Sequence, residues 1–156
     1  YRLGVALSDA ERLYVAIGRA VRSGADVEYA LQTLVEKLLG DYGPLIARGQ
    51  RFDLLYALAL RIAKAEVGYG GVLLGPLEAA HADIALRNKL VQDVWWESQG
   101  TFERVLFRPG RHEPQGPTAL RVEELEDLDA RLRAHYIELM RCAAWFTDRA
   151  SGSQAP

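Results

Sequence analysis

The feature that most constrains the fold is a long apolar stripe near the end of the chain. Leu125, Leu128, Leu132, His135, Leu139, Ala143 and Phe146 recur every three to four residues, so they line one face of a helix from about Val122 to Asp148. In water such a stripe is stable only when other helices cover it. The earlier chain supplies them. Leu13, Ile17, Ala20 and Val21 mark a first helix, entered through a Ser8/Glu11 capping box and ended by Gly24. Asp26 caps a second, with the stripe Val27, Ala30, Leu31, Leu34, Val35 and Leu38. Gly40-Asp41-Tyr42-Gly43-Pro44 is a turn cluster, and a third helix follows from about Arg51 to Glu66 through Leu55, Leu58 and Ile62. Gly68-Tyr69-Gly70-Gly71 breaks it. A fourth begins near Leu73 or Pro76, carries Leu77, Ala80, Ile84, Val91 and Trp95, and ends near Asp93.

Between the last two helices the pattern changes. Thr101 to Arg108, with Phe102, Val105, Leu106 and Phe107, has a strand composition, and Thr118 to Val122 is its expected hairpin partner across a loop from Arg108 to Pro117. The expected class is therefore all-α: a helical bundle of four to five helices with a small β-hairpin before the last helix. It forms a single domain over residues 1–150 with a disordered tail at 151–156.

Composition narrows the function classes. With 49% hydrophobic and 26% charged residues the chain can bury one core. The net charge of -2 argues against a strongly basic nucleic-acid coat but allows a local phosphate site. No apolar run is long enough for a membrane span. Tyr1-Arg2-Leu3-Gly4 has no basic stretch leading into an apolar one, so no signal peptide is expected. The single cysteine, Cys142, excludes an internal disulfide, and a reducing cytoplasm is the default location. His81, His112 and His135 lack ligand spacing, so neither a metal nor another cofactor is expected.

The sharpest motif is Arg87-Asn88-Lys89-Leu90-Val91-Gln92-Asp93-Val94-Trp95, at the end of the fourth helix. It resembles the Arg-Asn-x-x-x-His signature of HEPN-type ribonucleases, with Gln92 at the histidine position. From about residue 10 to 148 the order of elements is similar to that family in pattern; only 87–95 carries a sharp match. The resemblance implies metal-independent RNA cleavage, in which a ribose 2′-hydroxyl attacks the adjacent phosphate. Arg87 would hold a phosphoryl oxygen, Asn88 would orient its polar neighbour, and residue 92 would move the proton. Lys89, Asp93 and Trp95 are the implied substrate-binding positions. The implied partners are RNA, a second copy of the chain and a cognate antitoxin, in a toxin–antitoxin or antiviral-defence setting.

Glutamine cannot shuttle a proton, and loss of a general acid or base costs about 10²- to 10⁴-fold in rate. Gln92 is either a change that silences a nuclease or the native residue of a binding protein. Arg87 and Gln92 also diverge by roughly 140° on an ideal helix, so the helix distorts or two copies meet at one cleft. Two other readings stand beside the nuclease: a catalytically dead helical module that binds a partner protein or nucleotide, and a structural adaptor. A nuclease should show Arg87 facing an open cleft. An adaptor should bury Asn88 and satisfy Arg87 within its own chain, with Asp83 one turn earlier as the obvious partner. His135, on the apolar stripe, is expected in the core.

Overall fold

A computed structural model describes residues 8–92, 94–98, 101–106, 115–119 and 121–152. The chain is an all-α bundle that carries a small sheet. Its described helices are α1 (Asp9–Leu38), α2 (Gly43–Ala47), α3 (Phe52–Ala65), α4 (Gly70–Gln92) and α5 (Val122–Gly152), with a 3-10 turn at Gly40–Tyr42. Strands β1 (Val94–Ser98), β2 (Thr101–Leu106) and β3 (Gln115–Ala119) lie between α4 and α5.

The first two expected helices are one. Helix α1 begins where the Ser8 hydroxyl accepts from the Glu11 N–H and the Glu11 carboxylate accepts from the Ser8 N–H, as the capping box predicts. It then continues through Gly24. Glycine costs about 1 kcal/mol against alanine inside a helix, which is why the sequence suggests an end there. The reason for glycine is tertiary: a Cβ at this position would lie 2.4 Å from Arg87 Nε.

The cluster at 68–71 also divides differently from expectation. Gly68 alone adopts positive φ, at 90°, and makes the turn, whereas Gly70 and Gly71 already belong to α4. Pro76 therefore sits inside α4. Lacking an N–H, it leaves the Val72 carbonyl without its helical donor. The buried Cys142 thiol of α5 donates to that carbonyl at 3.8 Å.

The most extensive helix interface is α1 against α5. Arg12 reaches Glu123 and Glu126, and Ser23 meets Asp129 further along, so the two helices run in the same sense. Helix α4 runs opposite to α5, since Val72 lies by Cys142 while Asp83 lies by Arg131 and His135. The core is built from the stripes read in the sequence: Leu13, Val27, Leu31, Leu34, Leu77, Ile84, Leu125, Leu128, Leu132 and Leu139 are all buried. Each such side chain contributes about 1.5–3 kcal/mol on leaving water. Two stripe members fall outside it, Val21 at 38% exposed and Val91 at 40%. Tyr69, Trp145 and Phe146 close one end through edge-to-face contacts with ring centroids 4.7–6.2 Å apart.

The sheet is antiparallel, in the order β1-β2-β3. Its β2–β3 pair carries a register irregularity between Arg104 and Leu106. The sequence suggests two strands in this region and misses β1, because Trp95 also fits the α4 stripe. Pro117 lies in β3, at the sheet edge, where a missing N–H is tolerated. Helix α5 extends past Asp148 through Ser151 to Gly152, so the expected tail is shorter at its start; positions 153–156 lie outside the described residues.

Candidate functional site

The motif residues occupy the last turns of α4 and the first strand. Arg87 lies against the Gly24 backbone of α1 with its side chain 13% exposed, and its guanidinium NH2 donates to a Glu28 carboxylate oxygen. Its Nε is buried without a hydrogen-bond partner. Arg87 is thus fixed by two α1 residues four apart, one that leaves room and one that supplies charge. Asn88 and Lys89, on neighbouring faces of the same turn, are exposed. Gln92 is the last residue of α4, and Trp95 is in β1, with Arg104 as its register partner. Asp93 lies outside the described residues.

Two expectations about these residues change. Asp83 is not the partner of Arg87, because it faces α5. Its Oδ2 accepts from Arg131 Nε and from His135 Nε2, both at 2.9 Å, and its Oδ1 accepts from Arg131 Nη2 at 3.1 Å. Asn88 is on the surface, where an adaptor would bury it, yet Arg87 is ion-paired within its own chain, as in an adaptor, although its Nε has no partner. The Arg87 fork is therefore not presented freely to solvent: one NH2 is committed to Glu28.

The Asp83 cluster sits one turn before Arg87 and ties α4 to α5. Burial pushes the Asp83 carboxyl upward, but hydrogen bonds and charge from Arg131 and His135 outweigh it and hold the group below its ordinary range. His135 is a half-buried partner of this carboxylate rather than an apolar core residue. His81 stacks on Tyr56, centroids 4.1 Å apart, with Phe52 beyond it at 6.2 Å, and so holds α3 to α4. Among the described residues no group of three or more His, Cys, Asp or Glu side chains is arranged to hold a metal ion. No described helix is long and apolar enough to cross a membrane.

A second polar constellation was not legible in the sequence. Between α1 and α5 lies a cavity of about 330 Å³ lined by Arg19, Arg22, Ser23, Asp26, Asp129 and Arg133. The Ser23 hydroxyl donates to Asp129 Oδ1 at 2.5 Å, and Arg133 donates to Asp129 Oδ2. Asp129 is 3% exposed and Ser23 5%. Burial pushes the Asp129 carboxyl up, while the bonds from Arg133 and Ser23 and the charges of Arg133 and Arg19 pull it below the ordinary range. The two partners are 106 residues apart in sequence. The only local signals are an Arg pair at i, i+3 and an Asp–Arg pair at i, i+4.

The fold and site thus define a helical bundle with an anchored arginine at the end of its fourth helix. No family model matches the chain, and neither a curated protein nor a solved structure does.

Proposed function

We propose that this chain is a HEPN-like domain that engages RNA but does not cleave it efficiently. The observation that carries this reading is the composition of one turn of α4. Arg87 is anchored by Glu28, Asn88 beside it is exposed, and the next turn ends in Gln92, which cannot serve as a general acid or base. Glu28 competes with a phosphate for the Arg87 fork, so RNA binding at this turn costs the ion pair. The partners of this reading are RNA, a second copy of the chain and a cognate antitoxin of a toxin–antitoxin or defence system.

Cleavage and binding of RNA by the chain, by Gln92→His and by Gln92→His/Arg87→Gln test it. The expected outcome is RNA binding by the native chain with little cleavage, and cutting by Gln92→His that leaves cyclic phosphate ends. That activity should disappear when Arg87 is replaced. Replacing Glu28 by Gln should tighten RNA binding by freeing the fork. If the chain and Gln92→His neither bind nor cut RNA, the reading fails.

A partner-binding module is the second reading, and one observation favours it. Tyr14, Val21 and Tyr29 are 71%, 38% and 59% exposed and recur at two-turn intervals along α1. Tyr29 adjoins Glu28, so a second copy docked on this stripe would border the Arg87 turn. Sedimentation of the chain beside Tyr14→Glu/Tyr29→Glu measures this. A dimer converted to a monomer is expected; a monomer at all concentrations removes the stripe from the argument.

A further inference from the structure

The cavity between α1 and α5 is positive in a chain whose net charge is -2. Three guanidiniums face it against two carboxylates, Asp26 and Asp129. The carboxylate at its floor is already committed. Asp129 accepts from Ser23 with one oxygen and from Arg133 with the other, so its charge is largely answered within the protein. Arg19 and Arg22 are different: no ion pair to either is found among the described residues, and both are exposed at the rim. They stand three apart on α1, and like charges so spaced repel. An anion between them removes that repulsion.

We propose that this cavity binds a phosphate-bearing ligand, of the class of nucleotides and terminal RNA phosphates, through Arg19, Arg22 and Arg133. The chemistry favours phosphate over a simple monovalent anion. Guanidinium forks match phosphate oxygens two at a time, and a concave site concentrates the positive potential. A cavity of about 330 Å³ holds a diphosphate with room for part of a nucleoside. The buried Ser23–Asp129 bond fixes Arg133 from below, so one wall is preorganised while Arg19 and Arg22 close from α1. This site needs neither Arg87 nor nuclease chemistry, so it stands apart from the proposed RNA turn.

Titration calorimetry with inorganic pyrophosphate tests it, at low salt and with chloride as the monovalent-anion control. Binding of pyrophosphate is expected, weakened about tenfold or more by Arg19→Gln/Arg22→Gln and unchanged by Lys64→Gln on the exposed face of α3. The rim positions are exposed, so circular dichroism should show the double variant folded. Comparing a nucleoside triphosphate with 5′-phosphorylated and 5′-hydroxyl oligoribonucleotides then assigns the source of the phosphate. Tighter binding of either phosphorylated form sustains the proposal. Absence of pyrophosphate binding, or binding equal in the native chain and the rim variant, overturns it. Failure here leaves the expected cleavage by Gln92→His unaffected, so the two readings fail separately.

Discussion

Arg87 can lie where it does only because α1 presents a glycine to it. A Cβ at Gly24 would meet Arg87 Nε at 2.4 Å and Cζ at 2.8 Å, whereas one at Gly18, in the same helix, meets nothing within 4 Å. The two substitutions therefore separate helix propensity from the contact. Gly18→Ala is expected to stabilise by about 0.5–1 kcal/mol. Gly24→Ala gains the same propensity but must push the end of the flexible Arg87 side chain off Glu28, so it should stabilise less than Gly18→Ala. In an Arg87→Ala background the clash is gone and Gly24→Ala should stabilise as Gly18→Ala does. Urea midpoints of the four variants decide this; equal effects at both glycines would show that Arg87 does not rest on α1. The motif was legible at this scale because it is contiguous. Its anchor was not, since Glu28 lies 59 residues away in sequence.

Helix α4 is a long element with a proline inside it, and its continuity depends on a neighbour. Pro76 deprives the Val72 carbonyl of its helical donor, and the Cys142 thiol of α5 occupies that place. Burial, with the nearby Glu138 charge, pushes the Cys142 thiol up, so the group stays protonated and able to donate at neutral pH. Cys142→Ala is expected to destabilise more than Cys142→Ser, and the alanine effect should shrink once Pro76→Ala returns the backbone N–H. A thermal melt of each variant measures it; an alanine penalty independent of Pro76 would assign the thiol to packing alone. At this scale the sequence reading placed helices by apolar period and their ends by glycine and proline. It succeeded for α3, with Leu55 buried, Leu58 packed against the core and Ile62 half-buried. It misplaced ends at Gly24 and Pro76, where a contact from another helix overrides the local preference.

In the whole molecule, two carboxylates act as clasps on α5: Asp83 from α4 holds Arg131 and His135, and Asp129 of α5 holds Ser23 of α1 and its own Arg133. Both carboxyls are more acidic in the folded chain than in the unfolded one. Their contribution is therefore complete above the ordinary aspartate value of 3.8 and is lost as pH falls through the lower folded values, because the unfolded chain takes up protons first. Stability should decline steadily below about pH 4, and the decline should be shallower in Asp83→Asn/Asp129→Asn. Denaturant midpoints measured from pH 6 down to pH 2 give the slope; identical slopes in the native and doubly substituted chains would place the acid sensitivity elsewhere. Removing a core side chain acts at the same scale: Leu128→Ala, fully buried in the core, should cost about 2–5 kcal/mol.

The sequence alone determined the all-α class, the amphipathic faces that become the core, the capping box at Ser8 and the motif ending at Gln92. These depend on periodicity and on residues within a few positions of one another, where helix geometry alone sets the neighbours. Tertiary structure decided which charges meet. It turned Asp83 away from Arg87 and toward Arg131 and His135, gave Arg87 to Glu28, and gathered Arg19, Arg22 and Arg133 around one cavity. The physical reason is that an ion pair or a binding cavity forms across helices, and its members are chosen by how the helices cross and not by any spacing along the chain.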